Sequence, residues 1–296
     1  MGIKPSLNIR DAVVAGTFYP ADPQNLSYSI NKYLSDADAI LDSLKPPQIP
    51  PKTPPKAFIV PHAGYIYSGP IAGVAYRLMQ KFYGANSAAT KAPLKILLLG
   101  LSHQILLNGA AVSTYSTWQT PLGKVSVKNL RDEIPNKIPG AANILKEFEE
   151  AHEAEHSLEV QVPFLQTILK NFTLYPLAIS EVDPERLAKT LFPFASQKDV
   201  IIIVSSDLSH YLPYKKAQEA DQYSCKLILN LETEKAAAIN ACNKTGILTL
   251  MHIAKKLKLT PQLLDYRNSG DTAGDKLGVV GYASLIFGDG SLFTKQ

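Results

Sequence analysis

VIIIVSSDLSH, residues 200–210, is the stretch on which the fold turns. Val200–Val204 is a short, wholly apolar run rich in β-branched residues, the pattern of a strand buried on both faces. It passes directly into Ser205, Ser206, Asp207, Ser209 and His210. The same arrangement occurs twice more. Phe58-Ile59-Val60 runs into Pro61-His62-Ala63-Gly64-Tyr65, and Ile96–Leu99 runs into Gly100-Leu101-Ser102-His103. Thr173–Ile179, Gln262–Tyr266 and Val279–Phe287 read as further strands, with short ones near Ala110–Ser113 and Lys124–Val127. Between them lie helical stretches: Asn25–Leu41, Pro70–Lys81, Leu158–Leu169 with Ser157 as N-cap, Tyr214–Leu229, Glu232–Ala241 and Gly246–Leu257. Buried strands alternating with helices predict an α/β fold with a mostly parallel sheet covered on both faces.

Composition narrows the classes. The chain has 296 residues, 46% hydrophobic and 19% charged, which excludes a disordered or collagen-like polymer. The net charge of +4 is spread out, and Lys and Arg form no run of five or more, so nucleic acid is not expected as a partner. Two cysteines, Cys225 and Cys242, do not make a disulfide framework and point to a reducing compartment. The start, MGIKPSLNIRDAVV, lacks the apolar core of a signal peptide, and no apolar run approaches the roughly 20 residues of a membrane helix. The expectation is therefore a cytoplasmic protein without a membrane partner. MGIKPS fits the loose myristoylation pattern, with Pro5 against it. Six prolines between Pro46 and Pro55 form an extended connector, read as a surface loop within one domain spanning 1–296.

In open α/β sheets functional residues gather past the carboxyl ends of strands. Three of the six histidines, His62, His103 and His210, stand there, as does Asp207. Neutral imidazole is the commonest protein ligand for first-row metals, and two His with one anion suit an iron(II) that keeps open positions. Asp207 and Cys242 are the candidates for that anion. A competing motif is His152-Glu153-Ala154-Glu155-His156, which fits the H-E-x-x-H pattern of zinc proteases. Its acidic flanks, EFEEAHEAEHSLE, lack the apolar face of a buried zinc helix. No G-x-S-x-G elbow, Walker loop or dinucleotide fingerprint is present. Asn268–Asp275 reads as a polar loop that offers Asp271 and backbone N–H groups to a ligand.

Taken together, AVVAGTFYPADP (Ala12–Pro23), PHAGYIYSGPIAG (Pro61–Gly73), LGLSH (Leu99–His103), AHEAEHSLEVQVPFLQ (Ala151–Gln166), VSSDLSHY (Val204–Tyr211) and YRNSGDTAGDKLGVVGYAS (Tyr266–Ser284) resemble the Memo family, also called AmmeMemoRadiSam system protein B. The resemblance implies a three-layer α/β/α sandwich like that of the extradiol dioxygenases. It implies a metal site of His62, His103 and Cys242, with iron(II) foremost and copper or zinc as alternatives. His210 and Asp207 would be catalytic, and His156, Tyr65 and Asp271 would stand around the substrate. A small-molecule substrate or a phosphotyrosine peptide would occupy the cleft. Radical SAM and AMMECR-type proteins would be partners. One segment departs from the family: where members usually read ACG followed closely by Pro, this chain reads Ala241-Cys242-Asn243-Lys244-Thr245-Gly246. If that loop turned Cys242 away, Asp207 would be the remaining anion.

Overall fold

A computed structural model describes residues 8–44, 53–84, 93–135, 138 and 140–289. The myristoylation pattern and residues 46–52 of the proline-rich connector lie outside them.

In chain order the strands are β1 (Ile9–Arg10), β2 (Ala57–Val60), β3 (Leu94–Leu101), β4 (Ala110–Val112), β5 (Thr117–Thr120), β6 (Gly123–Ser126), β7 (Leu145–Glu147), β8 (Phe172–Ile179), β9 (Val200–Ser205), β10 (Leu259–Asn268) and β11 (Gly281–Asp289). Helices are α1 (Pro23–Ser43), α2 (Tyr65–Tyr83), α3 (Ala141–Ile144), α4 (Glu150–Glu153), α5 (His156–Glu159), α6 (Val162–Ile168), α7 (Pro184–Ala195), α8 (Tyr214–Leu229), α9 (Lys244–Leu257) and α10 (Ser269–Thr272). Eight strands form one sheet in the order β10-β11-β2-β9-β3-β8-β4-β7. Its centre, β2-β9-β3-β8, is parallel; β10, β11 and β4 join antiparallel neighbours. A small sheet, β1-β5-β6, lies apart from it.

Alternation along each strand sends residues to opposite faces. Phe58, Ile96, Leu98, Ile201 and Ile203 pack with α1, α2 and α6. Ile59, Leu97, Leu99, Ile202 and Val204 pack with α7, α8 and α9. The result is an α/β/α sandwich whose central strands are apolar on both faces, as VIIIV required. No described helix is long and apolar enough to cross a membrane.

Two expected helices differ in the structure. The run 158–169 is not one helix: α5 and α6 are separate, because Pro163 has no N–H to continue a helix and takes the first turn of a new one. Its cap is Glu155, whose carboxylate accepts the Ser157 N–H at 2.7 Å, rather than Ser157 itself. Glu232–Ala241 forms only a 3-10 turn, Thr233–Ala238, with Lys235 off helical geometry. Within Thr233–Ala238 no residue is buried, so no packed face holds an α-helix together there.

Candidate metal centre

Because β2, β9 and β3 are parallel neighbours, their carboxyl ends open side by side. This brings the loops bearing His62, Ser205–His210 and His103 together. Cys242 joins them from the turn before α9, its N–H donating to Asp207 O at 3.2 Å. Asn243 fastens that turn. Fully buried, it donates to Leu99 O (3.2 Å) and Ser205 O (3.1 Å), and its Oδ1 caps α9 at Gly246 N–H (3.0 Å). The altered loop thus leaves Cys242 facing the histidines, with Sγ 3.2 Å from His62 Nε2.

The hydrogen bonds settle which imidazole nitrogens are free. The Ser205 hydroxyl donates its proton to Ser157 O at 2.6 Å. Gln161 Nε2 donates to the Ser205 Oγ at 2.7 Å, and His62 Nδ1 lies 3.1 Å from that same Oγ. With its one proton spent, the hydroxyl accepts from His62, so Nδ1 carries hydrogen and Nε2 is the nitrogen open to a ligand. Gln161 is itself fixed, donating to Pro61 O and accepting from the Tyr76 hydroxyl. On His103, Nδ1 lies 2.9 Å from Glu155 Oε1. A carboxylate only accepts, so His103 also keeps Nδ1–H and leaves Nε2 free.

Donor atoms of His62, His103 and Cys242 lie within 4.8 Å of one another. Ligands sharing one zinc-like ion stand about 3.5 Å apart, given metal bonds of about 2.0–2.3 Å. The set therefore fits a first-row ion after small side-chain shifts. Its thiolate suits iron, copper or zinc better than magnesium.

Electrostatics agree with that donor set. Burial alone would push His62 down, but the Cys242 and Asp207 charges lift it to about 10. Burial likewise opposes charge on His103, and hydrogen bonds with Cys242 and Glu155 lift it to about 9. Cys242 would be raised by burial, yet His62 and His103 bring it down to about 6, so sulfur is mainly thiolate at neutral pH. Glu155, also buried, is held near 2 by His103. A cation can therefore take the place of the protons now held between thiolate and imidazoles.

A cleft of about 560 Å³ borders this centre. His156, His210 and Asp207 line it. His156 stacks on His103 at 4.5 Å, and burial with the His62 charge drives it down to about 4, so it is neutral. Donor atoms of His103, Glu155 and His156 also fall within 4.8 Å of one another. His210 Nδ1 donates to Leu208 O at 2.9 Å, leaving Nε2 as an acceptor. Asp207 Oδ1 accepts the His62 N–H at 2.7 Å.

Two expected residues lie elsewhere. Tyr65 is in the apolar core, its hydroxyl donating to Val160 O at 2.6 Å. Asp271 accepts the Asn268 N–H at 3.0 Å and the Tyr214 hydroxyl, closing a capping box on α10. The zinc-protease spacing dissolves as well. His152 is in α4 and His156 in α5, and His152 is fully buried against Ala111 O.

Glu155, Ser205, Gln161 and Asn243 were not foreseen as supports of the centre. Glu155 was hidden among the five other acids of EFEEAHEAEHSLE, and only its place before a His set it apart. The N-terminal arm braces the same segment. Arg10 pairs with buried Glu159 at 2.6 Å and donates to the carbonyls of His152 (2.6 Å) and Glu155 (2.9 Å). Glu159 in turn accepts from Val13 N–H, Val14 N–H and the Tyr19 hydroxyl.

Comparison with known proteins gives one consistent result. Residues 10–286 match the family described as Memo-like protein. A "MEMO1 family protein" of Sulfolobus acidocaldarius is 37% identical over 294 residues, covering 95% of this chain and 100% of the relative. One from Aquifex aeolicus is 37% identical over 296 residues with the same coverage. One from Desulfurococcus amylolyticus is 36% identical over 290 residues, 94% of this chain and 98% of the relative. With residues 10–286 matched and relatives aligned over nearly their full length, the chain belongs to the Memo family.

Proposed function

We propose that this chain is a metal-dependent oxidoreductase of dioxygenase-like type acting on a small molecule. Its resident metal would be iron(II), with copper or zinc as alternatives, held by His62, His103 and Cys242. The observation that carries the reading is the convergence of two free Nε2 positions and a thiolate beside an open cleft lined by a histidine with a free nitrogen. A bound ion of this kind would supply the place where dioxygen and substrate are activated.

The residues divide the remaining work. His210 Nε2 accepts the proton of a substrate hydroxyl and returns it to the product, while the Leu208 carbonyl fixes the ring. Asp207 holds the His62 backbone and so orients the loop after β2. Glu155 and Ser205 hold the two imidazole rings in the tautomer that leaves Nε2 free. Neutral His156 stacks on His103 and closes one side of the cleft without adding charge.

A second reading is a non-catalytic metal- or peptide-binding partner of radical SAM and AMMECR-type proteins. It draws on Tyr211, 78% exposed at the cleft, and Leu277, 84% exposed in the loop between the cleft-lining Asp275 and Gly278. One experiment separates the two. Metal content is measured after anaerobic purification of wild type and Cys242→Ser, followed by oxygen uptake with iron(II) and a catechol panel. Near-stoichiometric metal that Cys242→Ser loses, with oxygen consumed, supports the enzyme. Metal retained without any turnover supports the partner.

A further inference from the structure

Charge and ring content in the cleft point to one class of ligand. Four aromatic side chains, Phe18, Tyr67, Tyr211 and Tyr282, border it, and two carboxylates, Asp207 and Asp275, stand among them. Among the described residues that line the cleft, none is Lys or Arg. The nearby Lys276 ammonium lies 4.7 Å over the Tyr214 ring, outside the lining. The N-terminus of α2 reaches the cleft, but its Tyr65 N–H is already given to Phe18 O at 2.8 Å. Its partial charge of roughly half a unit does not offset two carboxylates. A divalent ion does not reverse the balance. Two positive charges bound there would face the Cys242 thiolate, itself one of the ligands, and the two lining carboxylates, Asp207 and Asp275.

We infer that the cleft takes a neutral or cationic aromatic molecule and discriminates against anionic ones. This rests on the small-molecule reading proposed above. A cavity of about 560 Å³ is within the range for such ligands. Tyrosine and phenylalanine faces recognise rings by offset or edge contacts, and they attract cations through the ring quadrupole. Tyr211 carries a further sign of a working surface. It holds a left-handed backbone, φ 57°, which is strained for a tyrosine, while its side chain stays 78% exposed at the cleft. Negatively charged ligands, phosphate esters included, would meet two carboxylates and no compensating cation from the lining.

The test uses three catechols that share one ring and differ in the charge of the tail: dopamine, 4-methylcatechol and 3,4-dihydroxyphenylacetate. Each is titrated anaerobically by calorimetry into protein reconstituted with one equivalent of zinc, which removes redox turnover. Each partly exposed charge contributes up to about fivefold, so dopamine is expected to bind up to about 25-fold tighter than the acid, with 4-methylcatechol between. Asp275→Asn should narrow the dopamine-to-acid ratio by about threefold. Asn keeps the acceptor that now takes the Leu277 N–H at 2.8 Å, so the loop is retained. An acid that binds as tightly as dopamine, or an unchanged ratio in Asp275→Asn, overturns the charge selection and leaves the small-molecule reading standing. Failure of all three to bind overturns both.

Discussion

The Glu155 carboxylate holds His103 at two points, taking its backbone N–H at 2.6 Å with one oxygen and facing Nδ1 at 2.9 Å with the other. One side chain thus sets both the position of the loop after β3 and the tautomer of its ring. Carboxylates behind a ligating histidine typically govern 10–100-fold in metal affinity. Glu155→Gln is therefore expected to weaken zinc binding by about that factor, read by chelator competition. Circular dichroism should show the fold intact. Unchanged affinity would remove Glu155 from the metal centre.

Ser205 is the meeting point of three hydrogen bonds from different parts of the chain. Ser205→Ala strands the His62 Nδ1–H, the Gln161 amide and the Ser157 carbonyl in a buried site. Unsatisfied buried groups cost about 1–3 kcal/mol each, so the urea midpoint should fall clearly. Metal affinity should fall as well, since His62 is then free to take the other tautomer. A variant as stable as wild type would show that the relay does not hold the ring.

His152 ties stability to pH. Burial and the charge of Arg10 lower it to about 4 from an ordinary 6.5, so it is neutral in the folded protein. Between these values the unfolded chain binds the proton and the folded chain does not. Stability is then complete above pH 6.5 and is lost as pH falls toward 4, by up to about 3 kcal/mol for a shift of this size. His156, lowered to about 4, acts in the same direction. Urea midpoints should drop from pH 7 to pH 5, and His152→Phe should flatten that slope. An equal slope in the variant would assign the acid sensitivity elsewhere.

Gly281 is required by close approach, not by turn geometry. A Cβ there would run into Asp221 Oδ2. Asp221 is fully buried and accepts from Ser209 N–H and the Tyr266 hydroxyl, each at 2.9 Å, beneath the His210 loop. Gly281→Ala should cost about 1–3 kcal/mol in a thermal or urea melt, the usual penalty of overpacking. It should also shift the pH profile of any turnover, because the displaced carboxylate lies under His210.

The parallel centre of the sheet was legible because VIIIV, FIV and ILLL leave no polar face for water. The histidines at their ends were legible for the same reason: strand order, once parallel, puts those ends together. The supporting groups were not legible. Glu155 and Gln161 act across sequence gaps that only the folded chain closes, and they share their residue types with many surface positions. Tyr65 lies next to Gly64, which lines the cleft, and three residues after His62 of the cluster. One residue past Gly64, the chain has entered α2 and turned its side chain into the core. The strands β1, β5 and β7 went unread: they span two to four residues, and unlike the equally short β2 and β4 none is an unbroken apolar run.

Arg10 gives the N-terminal arm a mechanical role. Its guanidinium grips the backbone on both sides of the short bend between α4 and α5, so β1 works as a strap drawn across the segment that carries Glu155. Through that grip the arm is tied to the segment that positions His103. A fusion partner or affinity tag attached ahead of Arg10 is therefore expected to disturb the His62, His103 and Cys242 cluster more than one attached after β11.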